Sequence, residues 1–204
     1  IGPHFLKPSI GFGGSCFKKD ILNLVYISRL YGLNEVASYW ESVVDINYYQ
    51  TERFGQKIIS CMPAKNSILT ILGWSFKKDT NDSRESSSIY LAKKILLKGY
   101  KIKIYDPMVD KIKIHDDIKS LIEKDNNKIE LINDQIQIFD SPYEALKDSN
   151  ICAICTEWNE FKDLEWTEIY KSMNKPSWIF DGRNILEKTE LEKIGFKTFF
   201  IGQS

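Results

Sequence analysis

The chain of 204 residues has no surplus charge of either sign, since 28 lysines and arginines face 28 aspartates and glutamates. A neutral balance gives no long-range field toward nucleic acid or a membrane surface, so neither is expected as a partner. Any anionic ligand must then be held by a few placed cations. No apolar run approaches the roughly 18 residues that a membrane-spanning helix needs. There is no basic-then-apolar leader and no initiator Met, and the opening IGPHFLKPSI reads as a piece of a longer polypeptide. Cysteine is sparse: Cys16, Cys61, Cys152 and Cys155 show no disulfide-framework spacing, which fits a reducing, cytoplasmic setting. His4 and His115 stand isolated, and no second Cys/His pair accompanies Cys152 and Cys155, so no metal site is expected. The G-x-G-x-x-G of a dinucleotide-binding turn is missing as well.

What is present is the composition of an ordinary globular protein, 43% hydrophobic with five tryptophans. Its length suits one sizeable α/β domain plus a smaller helical element. The first sixteen residues are rich in glycine and proline and read as loop. From Phe17 the apolar residues Ile21, Leu24, Val25, Ile27 and Leu30 recur at helical spacing until Gly32-Leu33-Asn34 breaks the run. A long second helix, from Glu35 to Ser60, carries Val36, Tyr39, Trp40, Val43, Val44, Ile46 and Tyr49 on a broad apolar stripe. Either a partner subunit or the rest of the chain must cover it.

After Pro63 strands and helices alternate. Strands are expected at Ser67–Trp74, Lys101–Pro107, Ile136–Phe139, Ile151–Cys155, Trp178–Asp181 and Lys197–Ile201. Helices are expected at Glu85–Lys98, Pro142–Ser149, Trp166–Met173 and Lys188–Ile194, with a polar excursion holding a short helix between Val109 and Asp134. This alternation predicts an α/β fold with a doubly wound, mostly parallel, Rossmann-like sheet preceded by the helical segment. Ligands in such sheets sit beyond the carboxyl ends of the strands, so the loops after Trp74, Asp106, Cys155 and Asp181 are the places to examine.

The first of these loops, Gly73–Ser88, replaces the glycine pattern with Lys77, Lys78 and Arg84, which are either phosphate-binding cations or solvated loop charge. Asp106 occupies the position of a ribose-binding acid or simply ends its strand. Cys16 lies in GFGGSCFKKD (Gly11–Asp20), a small-residue loop running into a helix. A helix N-terminus with Lys18 or Lys19 nearby favours a thiolate nucleophile, and Asp20 follows one turn later on the same face. The competing reading makes Cys16 a buried hydrophobe and Asp20 a partner for the helix dipole. Cys152 and Cys155 lie three apart in an apolar strand, facing opposite sides of the sheet, and read as core.

GFGGSCFKKD followed by ILNLVYI resembles the catalytic-cysteine segment of the UDP-glucose 6-dehydrogenases, in the UDP-glucose/GDP-mannose dehydrogenase family. FKKDTNDSRESS, the strand-ending YDP, ICTEWNEFK (Ile154–Lys162) and FDGR (Phe180–Arg183) follow in the order of the animal-type enzyme, so the resemblance spans essentially the whole chain. It implies a catalytic and substrate loop over residues 1–16, a central helical dimerisation segment over 17–62, and a UDP-sugar-binding Rossmann-like domain over 63–204. It also implies NAD-dependent oxidation of UDP-glucose to UDP-glucuronate through a thiohemiacetal and thioester on Cys16, with Asp20 aiding water activation and proton transfer. Substrate contacts carried over are Phe5, Leu6, Lys7, Ser9, Phe12, Gly13, Phe76, Lys77 and Arg183. Lys77 answers the diphosphate and Arg84 reaches NAD, which is otherwise bound by an N-terminal domain absent from these residues. The assembly implied is a homo-oligomer, at least a dimer. Lys18 departs from the Gln or Pro common in relatives, and Trp74 replaces a smaller residue. Two other readings compete: a sister nucleotide-sugar dehydrogenase, and a non-catalytic nucleotide-sugar-binding or oligomerisation module.

Overall fold

The computed structural model of the chain describes residues 2–3, 6–123 and 133–203. His4, Phe5 and residues 124–132 of the expected polar excursion lie outside the described residues. Two helices come first, α1 (Ser15–Leu30) and α2 (Asn34–Ser60), and the described residues then alternate as β1 (Ile68–Leu72), α3 (Ser87–Leu97), β2 (Lys101–Tyr105), α4 (Lys111–Glu123), β3 (Ile136–Ile138), α5 (Pro142–Leu146), β4 (Ile151–Ile154), α6 (Trp166–Ser172), β5 (Trp178–Asp181), α7 (Lys188–Ile194) and β6 (Lys197–Phe200). The six strands form one sheet in the order β3-β2-β1-β4-β5-β6, and every neighbouring pair is parallel. The expected doubly wound sheet is therefore present. Its strand order reverses between β1 and β4, where the crevice of such folds opens.

Strand periodicity sorts the core onto the two faces. Leu69, Ile71, Ile151, Ala153 and Phe180 join α2, α3 and α4 on one side, with Phe54 and Ile58 of α2 in the same cluster. Leu72, Cys152, Ile154 and Ile179 join α5, α6 and α7 on the other. Cys155 belongs to the first cluster and Cys152 to the second, the opposed core placement that their spacing requires. Burial pushes the Cys155 thiol up to about 12 and the Cys152 thiol well above its ordinary value, as expected of cysteines kept from water.

Two boundaries differ from the sequence expectation in a way that matters for the site. Helix α1 begins at Ser15, so Cys16 lies in its first turn rather than just before it. Helix α3 begins at Ser87 with Ser86 as its cap, the Ser86 side chain accepting from the Ser88 N–H. Glu85 cannot belong to α3 because its φ is 55°, outside the helical region.

The expected stripe on α2 is divided. The face that α2 buries is Ala37, Val44, Thr51, Phe54, Gly55 and Ile58. Of the apolar stripe Val44 is buried, while Val36, Tyr39, Ile46 and Tyr49 are exposed. The chain's own packing thus leaves most of that stripe uncovered.

Candidate active site

The first loop is threaded between α2 and the strand ends by backbone bonds. Thr51 Oγ1 donates to the Ile10 carbonyl at 2.8 Å. Asn47, one turn earlier, accepts from the Phe12 N–H at 2.7 Å and donates to the Phe12 carbonyl at 3.0 Å. Ser9 Oγ donates to the Gly11 carbonyl at 2.7 Å and accepts from Arg183 Nη1 at 2.6 Å. Ile10, fully buried, anchors the loop in the core. Asn47 and Thr51 carry no signal in sequence, because a polar pair at helical spacing looks like a solvated face until a loop is seen against it.

The opposing wall is the β1–α3 loop. Asp106 organises its start: Oδ2 accepts from the Trp74 N–H at 2.6 Å, the Ser75 N–H at 3.0 Å and the Trp158 indole at 3.1 Å. Its Oδ1 accepts from the Met108 and Val109 N–H groups at 2.9 Å. Of the two roles open to Asp106, terminating the strand is the one its bonds describe. These bonds also test the turn as a dinucleotide cradle. The Gly73 N–H is taken by the Tyr105 carbonyl at 2.9 Å, and the next two N–H groups are taken by Asp106. No row of open N–H groups remains at Gly73–Ser75 for a pyrophosphate, so the start of this loop does not cradle a dinucleotide as a glycine-rich turn would.

Between the two walls lies a cavity of about 780 Å³ at the carboxyl ends of β1, β4 and β5. It is lined by Lys7, Ser9, Phe12, Gly13, Cys16, Phe76, Lys77, Arg84 and Arg183, residues that the resemblance carries over as catalytic, substrate or cofactor contacts. Leu6 is 71% exposed and lies off this wall, and Phe5 is outside the described residues. Asp20 lies a turn further along α1, where its carboxylate is 67% exposed and 3.3 Å from Lys19 Nζ. Lys18, expected beside the thiol, is 2.8 Å from Glu85 instead. Each step along a helix rotates the side chain by about 100°, which carries Lys18 away from Cys16. Three of the four loops marked for examination meet here; the loop after Asp106 lines a separate cleft.

Although the whole chain is balanced, the cavity is not. Its charged lining is Lys7, Lys77, Lys78, Lys162, Arg84 and Arg183 against Asp82 and Glu157. Both carboxylates are taken up by arginines: Asp82 is 2.7 Å from Arg84, and Glu157 pairs with Arg183. Hydrogen bonding to Arg84 holds the Asp82 carboxyl below its ordinary value, and Asp82 in turn holds the Arg84 guanidinium above its own, with Cys16 adding to the effect. The remaining positive charge comes from the four lysines. Lys77 Nζ stands 5.6 Å from the Phe76 ring centroid. Arg183 is delivered by Asp181, whose fully buried carboxylate accepts from the N–H groups of Arg183, Ile185 and Leu186 at 2.8, 2.8 and 2.9 Å. Burial raises the Asp181 carboxyl above its ordinary value, and these donors oppose that. Glu157, Asn159 and Lys162 were not singled out from the sequence, although they fall within the quoted ICTEWNEFK run.

The model of the UDP-glucose/GDP-mannose dehydrogenase family's UDP binding domain matches residues 70–188, and that of the family's central domain matches residues 1–49. The chain belongs to the UDP-glucose/GDP-mannose dehydrogenase family. It is 45% identical to a UDP-glucose 6-dehydrogenase of Drosophila melanogaster over 207 residues, covering 100% of this chain and 43% of the relative. It is 41% identical to UDP-glucose 6-dehydrogenase 1 of Arabidopsis thaliana over 212 residues, covering 100% of this chain and 44% of the relative. The chain thus spans less than half the length of these family members. Among solved structures, a UDP-glucose dehydrogenase from Pyrobaculum islandicum superposes with a TM-score of 0.70 at 23% identity, covering 94% of this chain and 38% of the other. An NDP-N-acetyl-D-galactosaminuronic acid dehydrogenase from Methanosarcina mazei gives 0.75 at 21%, covering 97% and 39%. At such identities these two speak for the family fold alone.

The close approach of loop to loop makes Gly13 a sensitive point. A Cβ there would stand 2.6 Å from the Glu85 carbonyl oxygen and 2.8 Å from Phe76 Cβ. Gly13→Ala is expected to push the two walls apart and to lower stability by about 1–3 kcal/mol, the scale of overpacking, read as a lower urea midpoint at unchanged slope.

Proposed function

We propose that the chain is the nucleophile-bearing, UDP-sugar-binding part of a cytoplasmic UDP-glucose 6-dehydrogenase. The observation that carries the reading is one cavity, lined at once by an exposed cysteine in the first turn of a helix and by a lysine- and arginine-rich wall. Lys77 and Arg183 answer the diphosphate and sugar, Phe76 gives apolar cover, Leu6, Lys7 and Ser9 belong to the loop that closes over the sugar nucleotide, and Phe12 and Gly13 belong to the substrate-binding segment that follows. Cys16 adds to the C6 aldehyde to form a thiohemiacetal, and water later releases the acid from the thioester, with Asp20 assisting the proton transfer. The oxidations are the chemistry of NAD, which is bound mainly outside these residues, with Arg84 reaching it from the rim. Titration with UDP-glucose, with GDP-mannose as control, tests the reading. Selective UDP-glucose binding supports it, and preference for GDP-mannose assigns the site to a sister enzyme.

The same proposal includes a homodimer through residues 17–62. Tyr26, Leu30, Tyr31, Tyr39, Ile46 and Tyr49 are all more than half exposed on α1, α2 and the turn between them, a concentration of apolar surface that monomers rarely leave in water. Tyr39→Glu with Ile46→Glu is expected to convert a dimer to a monomer in sedimentation velocity. If the unsubstituted chain sediments as a monomer at tens of micromolar, the dimer is wrong.

A further inference from the structure

Helix α1 starts without a side-chain cap. Gly14 occupies the cap position, and no acidic residue falls in the first turn, so no local side chain caps the turn that carries Cys16. The turn is fastened by tertiary bonds to the β1–α3 loop instead. The Gly14 N–H donates to the Arg84 carbonyl at 2.9 Å. Lys18 Nζ donates to Glu85 Oε2 at 2.8 Å, and that same oxygen accepts from the Tyr90 hydroxyl of α3 at 2.6 Å. Tyr48 of α2 completes the group, its ring centroid 5.3 Å from Lys18 Nζ and its hydroxyl 3.5 Å from that of Tyr90. The ion pair is shielded, with side chains 26% and 35% exposed. Burial works against the Lys18 charge, yet Glu85 and Tyr48 hold the ammonium above its ordinary value. Glu85 is kept at a φ of 55°, a left-handed conformation that a non-glycine residue holds only where its surroundings impose it.

We infer that Lys18, Glu85 and Tyr90 form a positioning cluster that holds the uncapped first turn of α1, and with it Cys16, in register with Arg84. Helices α1 and α3 meet at the Glu85 carboxylate of the substrate-side loop, with Tyr48 of α2 set against Lys18 and Tyr90, which ties the cysteine's helix to the wall it must face. The inference deepens the reading of Cys16 as nucleophile and rests on it.

The test reads the thiol directly and uses neither sugar nor dinucleotide, so it fails independently of UDP-glucose binding. The rate of Cys16 alkylation by iodoacetamide is measured on the whole chain, with Cys16→Ser as blank and peptide mapping to separate the half-buried Cys61. Cys16 is already exposed, so loosening the turn gains little access and takes the thiol out of the fixed orientation in which a reagent entering the cavity meets it. Glu85→Gln is expected to slow alkylation about tenfold, the scale of one lost charge-assisted contact. Charge alone predicts the opposite sign, since an uncompensated Lys18 would speed the reaction. Tyr90→Phe keeps both charges and is expected to slow it about threefold. Lys18→Arg is expected to keep the rate that Lys18→Gln loses. Unchanged or faster alkylation in folded Glu85→Gln overturns the inference, as does a Lys18→Arg variant as slow as Lys18→Gln. If Glu85→Gln does not fold, Tyr90→Phe decides by the same criterion.

Discussion

Replacing Lys77 with alanine is expected to weaken UDP-glucose binding by about tenfold to a hundredfold, with the fold intact. A charge-assisted hydrogen bond to a phosphate contributes about 1.5–3 kcal/mol, and each 1.4 kcal/mol is tenfold in affinity. Lys77 suits this role because the two carboxylates lining the cavity are committed to Arg84 and Arg183, so no acidic side chain of the lining competes for its ammonium. Its backbone is placed by the carbonyl bond from Ser75 Oγ at 2.9 Å, and its ammonium lies near the Phe76 ring. Calorimetry at two salt concentrations separates the effect from general attraction. A contact formed inside the cavity persists at 0.5 M salt, whereas screening of surface lysines removes it. Equal affinity in Lys77→Ala and the unsubstituted chain would remove Lys77 from the site.

The second large effect concerns stability. Asp106→Ala is expected to cost about 4 kcal/mol, because four backbone N–H groups and the Trp158 indole lose their acceptor together. Urea unfolding reads this as a lower midpoint at unchanged slope, and the melting temperature falls by about 10 °C. Asp106→Asn keeps one oxygen but turns an amide N–H₂ toward donors, so it is expected to fall between the two. A loss below about 1 kcal/mol in Asp106→Ala would mean that water or neighbouring carbonyls satisfy these groups. Because Trp74 and Ser75 open the loop that carries Phe76 and Lys77, the same substitution is expected to weaken UDP-glucose binding even under conditions that keep the chain folded.

Much of the architecture was legible because it rests on local signals. Apolar runs such as Ile68–Leu72 and Ile151–Ile154, separated by helical spacings, specify a parallel sheet, and right-handed crossovers then leave few ways to order it. The start of α1 was not legible to the residue. Gly14 and Ser15 are ordinary loop residues, and helix begins at Ser15 only because the Arg84 carbonyl takes up the Gly14 N–H from 70 positions away. The partner of Lys18 was not legible for a related reason. Sequence proximity suggests an electrostatic partner, but rotation along the helix turns Lys18 to Glu85, a residue whose left-handed backbone no local pattern announces.

By itself, then, the sequence determined the order and type of the elements, the core identity of Cys152 and Cys155, the absence of a glycine-rich dinucleotide turn, and the family, since each depends on residues near one another in the chain. Only the tertiary structure decided that Lys7, Cys16, Lys77, Arg84 and Arg183 share one cavity. It alone seated the first loop on Asn47 and Thr51, left most of the α2 stripe exposed, and joined Lys18 to Glu85 and Tyr90. The reason is the same in each case. These contacts span tens to more than a hundred residues, and their partners are chosen by where packing of the sheet and helices brings them, which no local spacing encodes.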